Sequence, residues 1–356
     1  MMPIIKREII NYMKRPLFWL GIAIVVFGVF QNVSPYLEIH FLKEGETIVN
    51  DYPDTAYKGD VEVYEGYVPS SEEYMRKNWE KSIREVLISE FQMDKKEAEA
   101  VISKMQEMDI GQAGEYLEKE YGLYGAVYAW QDVSYHKGTR EEINSYISKK
   151  LEKKPFSYYF SRKFADFAGL YMGFFAVVML SVLFLQDTRK NTYELLHTKP
   201  VSAGKYVAGK IAGGFAVCAA VLVAMDIIFW LCCYMYTRGS GFEVRLFDFV
   251  AATAMYILPN MLMIVSVYSL VSLLFKSPLP AAPLLILYMV YSNMGSKNAE
   301  GVYGYYGRPL AIMVRFPGQF FDTAPPPLAL LNQGFLVLAS AIIIFISIQL
   351  WKRRRI

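Results

Sequence analysis

Residues 187–210, DTRKNTYELLHTKPVSAGKYVAGK, form a short polar bridge between two apolar runs, 164–185 and 206–236. Each run is long enough to cross a bilayer, because about 20 helical residues cover the roughly 30 Å of hydrocarbon. A chain that leaves the membrane for a few turns and then returns makes a hairpin whose tip sits in water. The pattern therefore predicts an α-helical polytopic membrane protein with an exposed tip at 187–205.

Composition agrees. Hydrophobic residues make up 54% of the 356 and aromatics 15%, more than a soluble domain carries and in keeping with Tyr and Trp anchoring at membrane interfaces. The net charge of +3 hides a division. Residues 38–160 hold 25 acidic and 16 basic side chains, a net of −9, and the remainder holds 9 and 21, a net of +12. That division carries topological meaning, and no nucleic-acid partner is expected. Cys218, Cys232 and Cys233 all fall in one apolar run, where they read as small packing residues.

Working outward, residues 1–15 form an amphipathic stretch with Ile4, Ile5, Ile9, Tyr12 and Met13 at helical spacing, suited to the headgroup plane. A first span follows within 16–36, with its apolar run at 17–33. It is read as retained, because no small-x-small cleavage site follows it. Residues 37–160 read as a separate domain outside the cytoplasm. Alternating runs at 37–41 and 61–63 predict a small sheet. Ser70 with Glu73, Asp94 with Glu97 and Thr139 with Glu142 have capping-box spacing and predict helices behind them. Residues 161–356 contain five further spans, at 164–185, 206–236, 247–275, 277–293 and 328–351, with a kink at Pro259–Asn260. The basic clusters at Lys6/Arg7/Lys14/Arg15, Arg189/Lys190/Lys199/Lys205, Lys276 and Lys352/Arg353/Arg354/Arg355 fall on one side of this six-span scheme. The positive-inside rule then places both termini in the cytoplasm and 37–160 outside.

No catalytic centre or metal site is read. His40, His136 and His197 lie outside the spans, and no H-E-x-x-H or G-x-S-x-G occurs. Residues 204–210, GKYVAGK, match the core of a phosphate-binding loop. However, Ile211 stands where Ser or Thr must hold magnesium, and a membrane span follows in place of the expected context. Gly209 and Gly213 are better read as close-packing points at G-x-x-x-G spacing. Asp226 lies deep in a span, so it needs either water or a partner. Two readings stand: a translocation pathway, with Asp226 and Asn260 as its candidate residues, or a structural hydrogen bond to a neighbouring helix.

Residues 194–210, ELLHTKPVSAGKYVAGK, resemble the second-to-third-span loop of type-2 ABC exporter permeases, with an acidic-Leu-Leu stretch, then Pro-Val-Ser, then a Gly-Lys pair. Asn191 and Ala203 depart from the pattern, standing where Gly and a basic residue are common. The resemblance implies that the loop is a coupling helix docking on a separate ATPase subunit. Tyr193, Leu195 and Leu196 would fill an apolar groove, Glu194, Arg189 and Lys190 would pair at its rim, and Pro200 would end the helix. Lys205 and Lys210 are placed to reach lipid headgroups. The resemblance also implies two ATPase copies, a second permease subunit as homo- or heterodimer, and contact with membrane lipids. ATP and Mg would be bound by the partner ATPase, with no cofactor in this chain. A re-entrant pair of short helices is implied at 293–327. A bacterial plasma membrane fits the absence of disulfides. The rival reading is a non-transporting sensor or resistance protein whose outer domain binds a ligand.

Overall fold

The computed structural model describes residues 1–46, 48, 61–184, 187, 201–297, 303–304 and 307–353. In chain order the helices are α1 (Met2–Met13), α2 (Pro16–Val33), α3 (Glu72–Ser89), α4 (Lys95–Gln106), α5 (Ile110–Tyr121), α6 (Ala126–Asp132), α7 (Arg140–Lys153), α8 (Phe156–Met179), α9 (Ala203–Thr237), α10 (Leu246–Tyr256), α11 (Leu258–Phe275), α12 (Ala281–Asn293) and α13 (Ala329–Arg353). The strands are β1 (Tyr67–Pro69), β2 (Tyr135–Lys137), β3 (Ser296–Lys297) and β4 (Tyr303–Gly304). The chain divides into two compact units, Met1–Glu38 with Lys153–Ile356, and Ile39–Glu152.

In the first unit, four stretches among the described residues are long and apolar enough to cross a membrane. They are Pro16–Glu38, Ala203–Thr237, Leu246–Phe275 and Ala329–Arg353. Two of the six expected spans do not reach that standard, for different reasons. Helix α8 has 24 residues, about 36 Å of length, but Arg162, Lys163 and Asp166 interrupt its first half. Helix α12 has 13 residues, about 20 Å, and starts late because Pro278 and Pro280 precede it. The expected kink is present as a break between α10 and α11. Ile257 has φ −115° and ψ −46°, two residues before Pro259, whose ring lacks an N–H and crowds the preceding turn.

Glycine sets how closely these helices approach. Helix α2 lies on α8, where a Cβ at Gly28 would collide with the Tyr171 ring and one at Gly21 would stand 2.8 Å from the Phe175 ring. Helix α1 lies on α9 in the same way, at Gly209 and Gly213, so the G-x-x-x-G reading holds. A Cβ at Gly213 would be 2.7 Å from Glu8 Cβ. Helix α13 runs along α11 and closes the bundle.

The expected pair of short helices within 293–327 is not found among the described residues there. The chain forms the β3–β4 hairpin, an irregular run from Gly307 and a single 3-10 turn at Phe320–Asp322. Pro309, Pro317 and the Pro325–Pro327 run prevent helix propagation, and Gly318 adopts φ +89°. Ile312, Met313, Val314, Phe316, Phe320 and Phe321 are nevertheless buried. Buried irregular backbone needs hydrogen-bond partners, and side chains supply them. Tyr288 donates to the Leu310 carbonyl (2.5 Å), Asn332 to that of Ala311 (2.9 Å), Lys163 to that of Gly318 (2.6 Å) and Arg162 to that of Thr323 (2.8 Å). Ser292 Oγ accepts from the Ile312 N–H at 3.0 Å.

The second unit is helical, with one two-stranded sheet. The predicted sheet segments are not strands: residues 39–41 have no regular secondary structure, Val63–Glu65 is a 3-10 turn, and β1 pairs antiparallel with β2. The 3-10 turn at 63–65 is closed by a box in which Glu62 and Glu65 cap each other, a pairing that competes with an extended strand. Helix α3 is capped by Ser71, which accepts from the Tyr74 N–H at 3.2 Å, rather than by Ser70. The Ser70 hydroxyl is instead hydrogen-bonded to His136 Nδ1 (3.1 Å). Asp94 caps α4 and the Thr139–Glu142 box closes on α7, while a further box, Asp109 with Gln112, opens α5. The core gathers Trp79, Ile83, Leu87, Val101, Ile102, Met105 and Leu117, with Trp79 Nε1 donating to the Ala126 carbonyl at 2.8 Å.

Candidate functional site

The coupling residues Arg189, Lys190, Tyr193, Glu194, Leu195, Leu196 and Pro200 lie outside the described residues. The base on which that loop stands is described. Ser202 caps α9 by accepting from the Lys205 N–H (3.3 Å), so the helix begins at Ala203 and runs unbroken for 35 residues. Residues 204–210 are therefore helical turns, with no loop of free N–H groups to cradle a phosphate.

Two turns into α9, Lys210 is buried rather than reaching toward headgroups. Its Nζ lies 2.9 Å from Glu8 Oε1 of α1 and 2.5 Å from Asp187 Oδ2, in the chain that follows α8 and the 3-10 turn Leu180–Val182. All three side chains are buried. Gly213 makes this possible: one turn beyond Lys210, it lets Glu8 lie directly against the α9 backbone. An ammonium buried between two carboxylates stands in low dielectric, where removing the ammonium strands both carboxylates. On the same end of α9, Tyr206 stacks on Trp351 near the end of α13, ring centroids 4.8 Å apart. The ion cluster and the stacked pair thus bring α1, both ends of the 187–210 bridge and the last turn of α13 together.

Asp226 lies 16 residues beyond Lys210, about 24 Å along α9. It is buried, and its Oδ1 accepts from the Thr253 hydroxyl of α10 at 2.6 Å. Asn260, at the start of α11, is equally buried. Its amide donates to the Tyr256 carbonyl (2.6 Å), and its Oδ1 has no hydrogen-bond partner. No hydrogen bond joins Asp226 to Asn260, so the two pathway candidates are separate features.

A third polar site was not singled out in the sequence. Arg315 Nε meets Asp166 Oδ1 at 2.5 Å and Arg315 Nη1 donates to Asn293 Oδ1 at 2.7 Å. Asp166 is buried, although its position near the start of an apolar run reads as close to water. The available signal was Arg162, Lys163 and Asp166 entering an apolar helix together, opposite an arginine in an apolar loop. Charges so placed require partners.

Comparison with known proteins bears on this bundle. Residues 2–306 match the family described as ABC-2 family transporter protein. The chain belongs to that family. No curated protein and no solved structure matches it. As an ABC-2 family chain it is a membrane transport component of permease type rather than a catalyst. The match spans α1, the bridge and helices α8 to α12, and therefore every residue of the Glu8–Lys210–Asp187 cluster.

Proposed function

We propose that the chain is the permease subunit of an ABC exporter. It pairs with a second permease, identical or related, and takes its energy from two copies of a separate ATPase subunit that bind ATP and Mg. The observation that carries this reading is the Lys210–Asp187 ion pair, which pins the two ends of the bridge together while Glu8 ties both to α1. A loop pinned at its base transmits a push on its tip to the helices that bear it. An unpinned linker absorbs that push by bending. Closure of the ATPases would then drive Tyr193, Leu195 and Leu196 inward, and α8, α9 and α1 would move as one body.

Orientation belongs to the same proposal. The clustering of α1, the bridge and the end of α13 at one end of the bundle supports placing that end in the cytoplasm, where their Lys and Arg residues satisfy the positive-inside rule. The unit Ile39–Glu152, with 24 acidic and 14 basic residues, is then extracytoplasmic, and α8 and α12 complete six crossings of a bacterial plasma membrane. Asp226 and Asn260 are proposed to line the route of the cargo.

The test is the Leu195→Asp, Leu196→Asp double variant, coexpressed with the ATPase that copurifies with the wild-type chain. The expected result is a folded permease that no longer stimulates ATP hydrolysis. Normal complex formation and normal hydrolysis would remove the coupling role from this loop. A wild-type chain that retains no ATPase favours the sensor reading.

A further inference from the structure

A groove of about 750 Å³ runs along α13, walled on its other side by the irregular segment from Gly307 to Val314. Of its 17 lining residues, Arg308 and Asn332 alone carry polar side chains. Leu310, Leu331, Phe335, Leu338 and Ile342 present exposed apolar surface to it. From Ala329 to Ile342 the groove follows α13 for about 20 Å, somewhat more than the depth of one leaflet's hydrocarbon.

The polar end is incompletely satisfied. Arg308 Nη2 donates to the Gly295 carbonyl (2.8 Å) and the guanidinium lies over the Tyr291 ring (5.2 Å), but Nε has no partner and no carboxylate pairs with the side chain among the described residues. Asn332 donates to Ala311, and its Oδ1 is likewise buried without a hydrogen-bond partner. The groove is thus rimmed by a guanidinium with no carboxylate partner among the described residues and by an amide oxygen without a hydrogen-bond partner, above a long apolar trough. No acidic side chain is among the described residues that line the groove, so a cationic ligand is disfavoured there.

We propose that the groove holds one anionic glycerophospholipid. Its phosphate meets Arg308, a headgroup hydroxyl donates to Asn332 Oδ1, and one acyl chain lies along Phe335, Leu338 and Ile342. A phosphatidylglycerol-type head supplies both groups, whereas the trimethylammonium of a choline head adds a cation beside Arg308 and offers no donor. The site is independent of the exporter reading, since it requires only that the chain sit in a membrane.

The experiment is native mass spectrometry of the delipidated full-length chain in detergent, titrated with dioleoyl-phosphatidylglycerol or dioleoyl-phosphatidylcholine. The first phosphatidylglycerol is expected to bind about tenfold more tightly than the first phosphatidylcholine, the worth of one charge-assisted contact. Arg308→Gln, which keeps a donor for Gly295, is expected to erase that preference. Ala339→Trp, which fills the trough, is expected to weaken both lipids, and Leu20→Trp on α2 to change neither. Equal affinities in the wild-type chain overturn the proposal, as does a preference that survives Arg308→Gln. Unchanged binding in Ala339→Trp places the lipid elsewhere. A dimer that excludes lipid and dissociates in Ala339→Trp assigns the groove to a second copy. If Arg308→Gln fails to fold, judged by helicity and elution volume, Arg308→Met, which also removes the cation, decides the same question.

Discussion

At the scale of single residues, the buried charges of the bundle are each met by a partner from another segment, and those partners define what substitutions will do. Lys210→Met leaves Glu8 and Asp187 facing each other without a cation. Loss of one member of a buried pair typically costs about 3–5 kcal/mol, so the apparent melting temperature of the purified chain should fall sharply. Glu8→Gln should cost much less, because Asp187 still holds the ammonium. A melting temperature unchanged in Lys210→Met would mean that water enters the cluster freely. Asp226→Asn keeps an acceptor for Thr253, so folding and basal ATP hydrolysis of the complex should persist, while Asp226→Leu strands that hydroxyl at a cost of about 1–3 kcal/mol. Substrate-stimulated hydrolysis should fall in Asp226→Asn if the carboxylate serves transport. Normal transport by Asp226→Asn in vesicles returns the residue to a structural role.

At the scale of elements, what could be read in advance follows from how local the determining interaction is. The G-x-x-x-G pair at Gly209 and Gly213 was legible because small residues at that spacing serve close helix contact wherever the partner comes from, though the sequence could not name α1 as the partner. The Thr139–Glu142 box was legible because it closes within one turn. Ser70 failed as a cap because its neighbour Ser71 is equally able and β2 engages Ser70, a choice made by a strand 65 residues away. The same distance explains why Asp166–Arg315 was missed: its halves are separated by 149 residues. The Thr139–Glu142 box also yields a pH prediction. The backbone N–H of Thr139 holds the Glu142 carboxyl below its ordinary value of 4.5, with a smaller contribution from nearby His136. A lowered folded value means that the stabilisation is fully present above about pH 4.5 and is lost as pH falls through the folded value. Hydrogen-exchange protection at the start of α7 should therefore drop in that acid range and flatten in Glu142→Gln. An identical pH profile in the variant would assign the loss to another group.

At the scale of the whole molecule, charge asymmetry and apolar run length carried the polytopic helical class, since both are sums over many residues and tolerate local error. Individual crossings are set by local features instead, and α8 and α12 depart from the simple template through buried charge and through proline. Orientation has a direct test. A cysteine at Ser134, in a background with Cys218, Cys232 and Cys233 replaced by Ala, should react with an impermeant maleimide in intact cells. Labelling that requires the membrane to be opened first would invert the proposed topology.

The side-chain partners of the irregular run 307–323 also impose an order of assembly. Lys163, Arg162, Tyr288 and Ser292 leave the ribosome before that run does, but Asn332, which holds the Ala311 carbonyl, emerges after it. The run cannot complete its hydrogen bonding until α13 has been synthesised. A nascent chain halted before residue 329 therefore holds a buried apolar run one of whose carbonyls, that of Ala311, still lacks its side-chain partner.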